Sequence, residues 1–504
     1  MTQASPSTVG PHAAATPRTS ACPGLLRIVA ASDGGICRIK LPGGELSADQ
    51  AHVVAGASER HAAGVIELTN RANLQVRGVR SGHEAALVAE LVDAALGPTA
   101  LQATDAPNSP STTALSAADD VRNVMISPAA GRDPFALIDT TPLCAQLLTL
   151  LQSEWRFTAL SPKFALLLDG GEHLARIDHP HDIWFAATPS HDGVRFVFGL
   201  AGCPPALVGA QTTASAVAAA RSAAHAVTGA QKAGTRTRRS SADGTRALAG
   251  ILPSQVVALV RALLHTFLDL APAEATRMRH LLATHDVDPL LQHAQRYLDF
   301  PLSRDATFAE WQRSTPADPT LRLGAHAQRV SGTWHAGGQP PLGRLSAAML
   351  RGLAALAQQH GNGTLRATPW QSVLLPDIPT HALPATLARL NALGLACDPA
   401  QPMARLVACA GSSGCAKSLA DTKADALQLA ERLPANVDVH LSGCARSCAA
   451  AHCAPYTLLA AAPGRYDLYR RDGQPGFGQC VAHHLTIAQA ADMLDHLSRS
   501  NTDA

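Results

Sequence analysis

Two stretches of the chain share one pattern of apolar and polar positions. The run from Glu45 to Gly78 aligns without a gap on the run from Arg344 to Asp377. Leu46 falls on Leu345, Ser47 on Ser346, His61 on His360, Gly64 on Gly363, Ile66 on Leu365 and Thr69 on Thr368. Each copy opens on a serine suited to cap a helix and continues with apolar residues at helical spacing. A glycine ends that stretch, and a short β-prone strand follows, at 65–69 in one copy and 364–368 in the other. The pattern predicts a duplicated αβ module. A weaker pairing sets Arg122-Asn123-Val124 against Arg405-Leu406-Val407, which extends the expected duplication and gives a pseudo-twofold molecule. The interface between such halves is a natural cleft for a ligand. Common ancestry alone would leave the same repeat.

Two other stretches show no such alternation. Residues 98–120, with their Ser, Thr, Pro and Asn, read as a linker. Residues 210–250, rich in Ala, Thr, Ser and Arg, read as a flexible insertion. Residues 1–20 lack the apolar core of a secretory signal and read as a disordered lead-in. No apolar run approaches the ~18 residues needed to cross a bilayer. The expectation is therefore a cytoplasmic protein with no membrane partner.

Composition narrows the function classes. With 504 residues, 46% of them apolar, the chain is long enough for about three domain-sized units with sizeable cores. Its 41 basic and 39 acidic residues leave a net charge of +2, which argues against a general nucleic-acid or membrane-surface binder. Eleven cysteines without an export signal favour metal or redox use over a disulfide framework.

Four of those cysteines form a constellation. Cys409 and Cys415 are separated by five residues of Ala, Gly and Ser, and Cys444 and Cys448 by three. The first spacing suits a small loop that wraps the edge of a cluster. The second places two sulfurs on one face of a helical turn, since positions i and i+4 are neighbours. Four converging thiolates are the ligand set of a 4Fe-4S cluster. A structural zinc is the competing reading, and unrelated buried thiols a further one. Zinc sites built from four cysteines usually use knuckles two to four residues apart, so the five-residue loop counts against zinc.

The spacing Cys-x5-Cys followed by Cys-x3-Cys, after a duplicated αβ module, resembles the sulfite and nitrite reductase superfamily. Longer strings resemble its precorrin-3B synthase family. They are Cys22-Pro23-Gly24-Leu25, Asp33-Gly34-Gly35, Arg38 to Gly44, Leu68 to Gly78, and Thr368-Pro369-Trp370-Gln371. The resemblance covers most of residues 21–495 outside the linker and the insertion. It implies an α+β fold with two ferredoxin-like half-modules, at 21–97 and 335–400. It also implies two larger αβ units, a tetrapyrrole-site domain at 121–330 and a 4Fe-4S domain at 401–500. The activity implied is an iron–sulfur monooxygenase of cobalamin synthesis. Such an enzyme hydroxylates precorrin-3A with O2, closes a γ-lactone, and needs the cluster, a mononuclear non-haem iron and an electron donor that the sequence does not identify. A sirohaem-dependent sulfite or nitrite reductase is the alternative, and a non-enzymic zinc or electron-transfer protein a second.

A carboxylate-fringed macrocycle needs fixed cations, and arginine suits them because its planar fork can hold a carboxylate twice. The resemblance implies Arg71, Arg122 and Lys163 as the catalytic cations, and Arg38, Asn73, Gln75, Arg77 and Asn123 as the substrate contacts. The anion reductases of the superfamily carry two lysines in a Lys-Phe-Lys run. Here the run is Lys163-Phe164-Ala165, so one cation that would offset burial of a dianion is missing. For a non-haem iron, the segment His173 to Asp182 offers His and Asp side chains, although no regular spacing forces them together.

Overall fold

The computed structural model describes residues 20, 22–98, 112–205, 246–450, 454–473 and 476–500. Nearly all of the expected lead-in, the first part of the linker and residues 206–245 of the insertion region lie outside them. The described residues form an α+β fold with four five-stranded sheets.

The two repeats build two of these sheets by exchanging a strand. The first sheet runs Val29–Ala31, Gly34–Ile39, Leu74–Val79, Val65–Leu68 and then Arg344–Ser346, which comes from the second repeat. The other sheet runs Gly324–Ala327, Thr333–Gly338, Val373–Pro379, Thr364–Ala367 and then Glu45–Ser47, from the first repeat. Leu345 pairs with Ile66, and Leu46 with Leu365, so the exchange is reciprocal in register. The opening strand Gly324–Ala327 lies ahead of the expected start at 335.

Local chemistry fixes both exchanges. Ser47 caps the helix Ala48–His61 by accepting from Gln50 N, and the Gln50 side chain accepts from Ser47 N in return. Ser346 caps Ala347–His360 by accepting from Met349 N. Past each helix end, Gly64 and Gly363 take φ of 70° and 77°, the left-handed region that costs glycine little. Each glycine carbonyl then accepts from the first amide of the partner's helix: Ala347 N to Gly64 O, and Ala48 N to Gly363 O. The two helices pack on each other, and Val54, Ile66, Leu350 and Leu365 share one core.

The larger units repeat as well. Val124–Met125, Leu166–Asp169 and His181–Ser190 are parallel neighbours, followed by antiparallel Gly193–Gly202 and Ala249–Ile251. Leu406–Ala408, Val439–Ser442 and Tyr456–Ala462 repeat that order, followed by antiparallel Arg465–Arg470 and Gln479–Leu485. Val124 and Leu406 hold the same register position, as do Leu166 and Val439, so the faint pairing at Arg122 and Arg405 marks a structural duplication.

Part of the expected linker is ordered. Thr112–Asp120 is a helix. Its two terminal carboxylates are buried, Asp120 pairing with Arg27 at 2.8 Å and Asp119 with Arg122 at 3.0 Å. Such a segment is polar in sequence because it supplies counter-charges, which composition alone cannot distinguish from a solvated linker.

Candidate functional site

The four cysteines sit at the ends of neighbouring elements. Cys409 follows the strand Leu406–Ala408, and its amide donates to Leu441 O at 3.2 Å. Cys415 ends the short helix Gly411–Gly414. Cys444 follows the adjacent strand Val439–Ser442. Cys448 lies in irregular backbone after the turn at 445–446, not on the helical turn expected, and Ser447 before it takes a φ of 50°. Gly443 N donates to Cys409 Sγ at 3.2 Å, the kind of backbone bond that tunes a thiolate ligand. A side chain at Gly443 is excluded, since a Cβ would stand 1.7 Å from Ser418 Oγ.

Burial raises the pKa of the Cys448 thiol, and Cys444, Cys409 and Cys415 raise it further, so all four thiols lie in one electrostatic neighbourhood. A single tetrahedral ion would draw its sulfurs to about 2.3 Å from one point. Among the described residues, no three His, Cys, Asp or Glu side chains meet closely enough for that. Four cysteine thiols in one neighbourhood are the donor set of a 4Fe-4S core. The corresponding register positions in the first αβ unit hold Ser127 and Gly171 in place of Cys409 and Cys444, so only the second unit carries thiols there.

The expected polar contacts divide into two groups. Several are committed to holding the protein together. Arg77 is buried and donates to Asp33 at 2.8 and 2.9 Å, to Glu67 at 3.4 Å and to Gly414 O at 2.7 Å. It clamps the first half-module to the cysteine loop and is not positioned as a substrate contact. Asn73 Oδ1 accepts from Leu41 N, and Asn123 Nδ2 donates to Asp120 O, Pro162 O and Phe164 O. Arg122 Nη1 donates to Leu96 O and Asp119, so its role is partly structural.

The second group has cations to spare. Among the described residues no carboxylate pairs with the Arg71 guanidinium. Burial, with Arg277 and Arg38 alongside, pushes its pKa down to about 10. The turn Thr69–Asn73 presents Arg71, because Thr69 Oγ1 accepts from Arg71 N and Asn73 N. In the second repeat the same turn presents Trp370, over whose ring Arg176 lies at 5.4 Å. Gln75 accepts from Arg38 Nη2 at 2.6 Å and Nε at 3.1 Å when its amide is turned to face them. Arg38 lies within electrostatic reach of Cys448, which links the arginine cluster to the thiols. Lys163 is exposed, with no side-chain partner among the described residues.

Arg71, Asn73, Arg122 and Asn123 line one small cavity with Leu41, Val124, Met125, Ala165 and His181. Its volume is about 20 Å³, room for a single small polar group. His181 is 1% exposed, and neither ring nitrogen has a hydrogen-bond partner. It was legible only as one of several histidines in the 173–182 segment. That segment does not form the expected iron site. Asp182 is taken by Arg277, Ala165 N and Met278 N, Asp178 by Arg176, and His173 stacks on Phe135. Asp182 is neutralised by Arg277 from a distant segment and Asp178 by Arg176 within the loop, so both carboxylates are already committed.

Known proteins share this architecture. The family model for the nitrite/sulfite reductase ferredoxin-like half domain matches residues 30–94 and 326–393. The nitrite and sulphite reductase 4Fe-4S domain model matches 117–302, the first αβ unit, which is not the one bearing the four cysteines. A chloroplastic ferredoxin–nitrite reductase of Zea mays is 28% identical over 82% of this chain and 67% of its own length. A precorrin-3B synthase of a Sinorhizobium species is 26% identical over 97% of this chain and 91% of its own. The solved structure of Mycobacterium tuberculosis NirA superposes with a TM-score of 0.69 at 21% identity, covering 92% of this chain and 80% of that one.

Proposed function

The chain belongs to the nitrite and sulfite reductase family, and on that premise we propose that it is an O2-dependent oxidoreductase of the precorrin-3B synthase type. In this reading precorrin-3A is hydroxylated at a meso carbon and a ring acetate closes a γ-lactone. One oxygen atom of O2 enters the product, and the other leaves as water with two electrons and two protons.

The observation that carries the reading is Ala165. It lines the cavity beside Arg71 and Arg122, in the run where the superfamily's anion reductases hold a second lysine. A wall with an alanine there binds a dianion less well than one with an ammonium, while Arg71 and Arg38 remain available for macrocycle carboxylates. The near full-length match to a precorrin-3B synthase supports the same choice. Cys409, Cys415, Cys444 and Cys448 would hold a 4Fe-4S cluster, which supplies single electrons when bound. The protein's own part is to bind and orient: Arg71 would neutralise a carboxylate, and the Gln75 contact holds the Arg38 guanidinium within electrostatic reach of Cys448. The 173–182 loop offers no ligand set for a mononuclear iron, so no step is assigned to one.

The test is anaerobic reconstitution with iron and sulfide, followed by assay with precorrin-3A, an electron donor and labelled O2. The expected result is a lactone product carrying one labelled oxygen. Strong long-wavelength bands of bound sirohaem, with reduction of nitrite or sulfite, would instead establish the reductase reading. A colourless zinc-containing protein would leave only a scaffold role.

A further inference from the structure

Resting on the cluster assignment and not on the choice of substrate, we infer that Asn70 is a positioning residue. Its side-chain amide holds the Cys448 loop against the turn that carries Arg71. Asn70 Nδ2 donates to Cys448 O at 3.4 Å, across 378 positions of the chain. The turn is braced from within. Thr69 N donates to Asn73 O, Ala72 N donates to Thr69 O, and Thr69 Oγ1 accepts from Arg71 N and Asn73 N. One residue of this turn therefore touches a thiol-bearing loop, and the next stands beside Arg38 and Arg277. Asn70 fixes the spacing between the two.

Cys448 needs such a tie. It is exposed, whereas Cys409, Cys415 and Cys444 are half-buried. It belongs to no helix or strand, so no ladder of backbone bonds sets its place. The same string grips a second thiol-bearing loop, since Arg77 Nη2 donates to Gly414 O at 2.7 Å, one residue before Cys415. The other repeat supplies the contrast. There the position of Asn70 holds Pro369, which has no amide to donate. The contact between turn and loop runs the other way, Arg176 Nη1 donating to Pro369 O at 3.2 Å. That loop, which follows Gly171, bears no cysteine. The donating side chain thus stands on the turn that faces the thiols.

The test compares wild type, Asn70→Ala and Asn70→Gln as full-length proteins. Hydrogen exchange of the 445–450 segment is measured first, without iron. It should quicken about fivefold in Asn70→Ala, the effect of one lost neutral hydrogen bond. Asn70→Gln keeps an amide donor and should lie nearer to wild type than to Asn70→Ala. Exchange in the strand Val439–Ser442 should not change, which shows that the unit is folded. After anaerobic reconstitution, iron release to a chelator should be several-fold faster in Asn70→Ala than in wild type. Unchanged exchange or unchanged iron release in Asn70→Ala overturns the inference alone, as does an Asn70→Gln variant as loose as Asn70→Ala. Wild-type protein that takes up no iron and sulfide overturns the cluster assignment instead, and the exchange measurement, which needs no cluster, still shows whether Asn70 holds the loop.

Discussion

At the scale of single residues, the sequence separated the cysteines from the background but could not sort the arginines. Cysteine spacing is local, so Cys409, Cys415, Cys444 and Cys448 can be read in one pass. Whether an arginine is free depends on carboxylates far away in the chain. Arg77 and Arg71 share one string, yet Asp33 and Glu67 pair with the first, while among the described residues no carboxylate forms an ion pair with the second and Asp182 acts on it only from a distance. His181 was obscured in the same way, among histidines that looked like iron ligands. Buried histidines also set an acid limit. His335 has its pKa lowered to about 4 by burial, while the unfolded value is about 6.5. Between those values the unfolded chain binds the proton and the folded one does not, so stability falls as pH drops from about 6.5 towards 4. The slope is about 1.4 kcal/mol per pH unit for one such group. Glu172, raised to about 8 by burial beside Asp169, works in the opposite sense over part of that range, so the comparison must be made between variants. Denaturant titrations of His335→Gln should show a shallower loss than wild type below pH 6. Parallel curves would mean that His335 is protonated in the fold.

At the scale of elements, the repeat foretold both helices and both caps, because caps and apolar spacing are written locally. It did not foretell the strand exchange. Glu45–Ser47 and Arg344–Ser346 are three residues each, too short to show a period, and their partners lie in the other repeat. The 112–120 helix was missed for a related reason: its carboxylates face buried cations, which a polar composition conceals. The caps themselves differ in strength. Ser47 forms a reciprocal pair with Gln50, whereas Ser346 makes one bond to Met349 N. Ser47→Ala should therefore cost about 1 kcal/mol or slightly more, and Ser346→Ala somewhat less. Equilibrium unfolding in urea measures both. Equal losses would show that the Gln50 half of the pair contributes nothing.

At the scale of the whole molecule, the half-modules and the cysteine unit meet through buried charge. Glu67 pairs with Arg344 at 2.9 Å, Arg77 at 3.4 Å and Lys423 at 3.7 Å, so one carboxylate joins both half-modules and the cysteine unit. Lys423 is buried. Its ammonium donates to Leu342 O at 2.8 Å and Ala408 O at 3.3 Å, one residue before Cys409. Burial lowers its pKa, while Glu67 and Cys409 act in the opposite direction. None of this could be read from sequence, because the Glu67 contact spans several hundred residues and a lysine late in the chain resembles any surface charge. A cation fixed this close to a thiolate ligand favours the form of the cluster that carries one more electron. Removing it should make reduction harder. In Lys423→Met, with the cluster reconstituted, the midpoint potential should move negative by tens of millivolts, on the order expected for one nearby charge. An EPR-monitored redox titration reads this without any turnover, and iron content confirms that the cluster is present. An unchanged potential at full iron content would show that Lys423 only seals the joint between the units, with the thiols screened from it by Glu67.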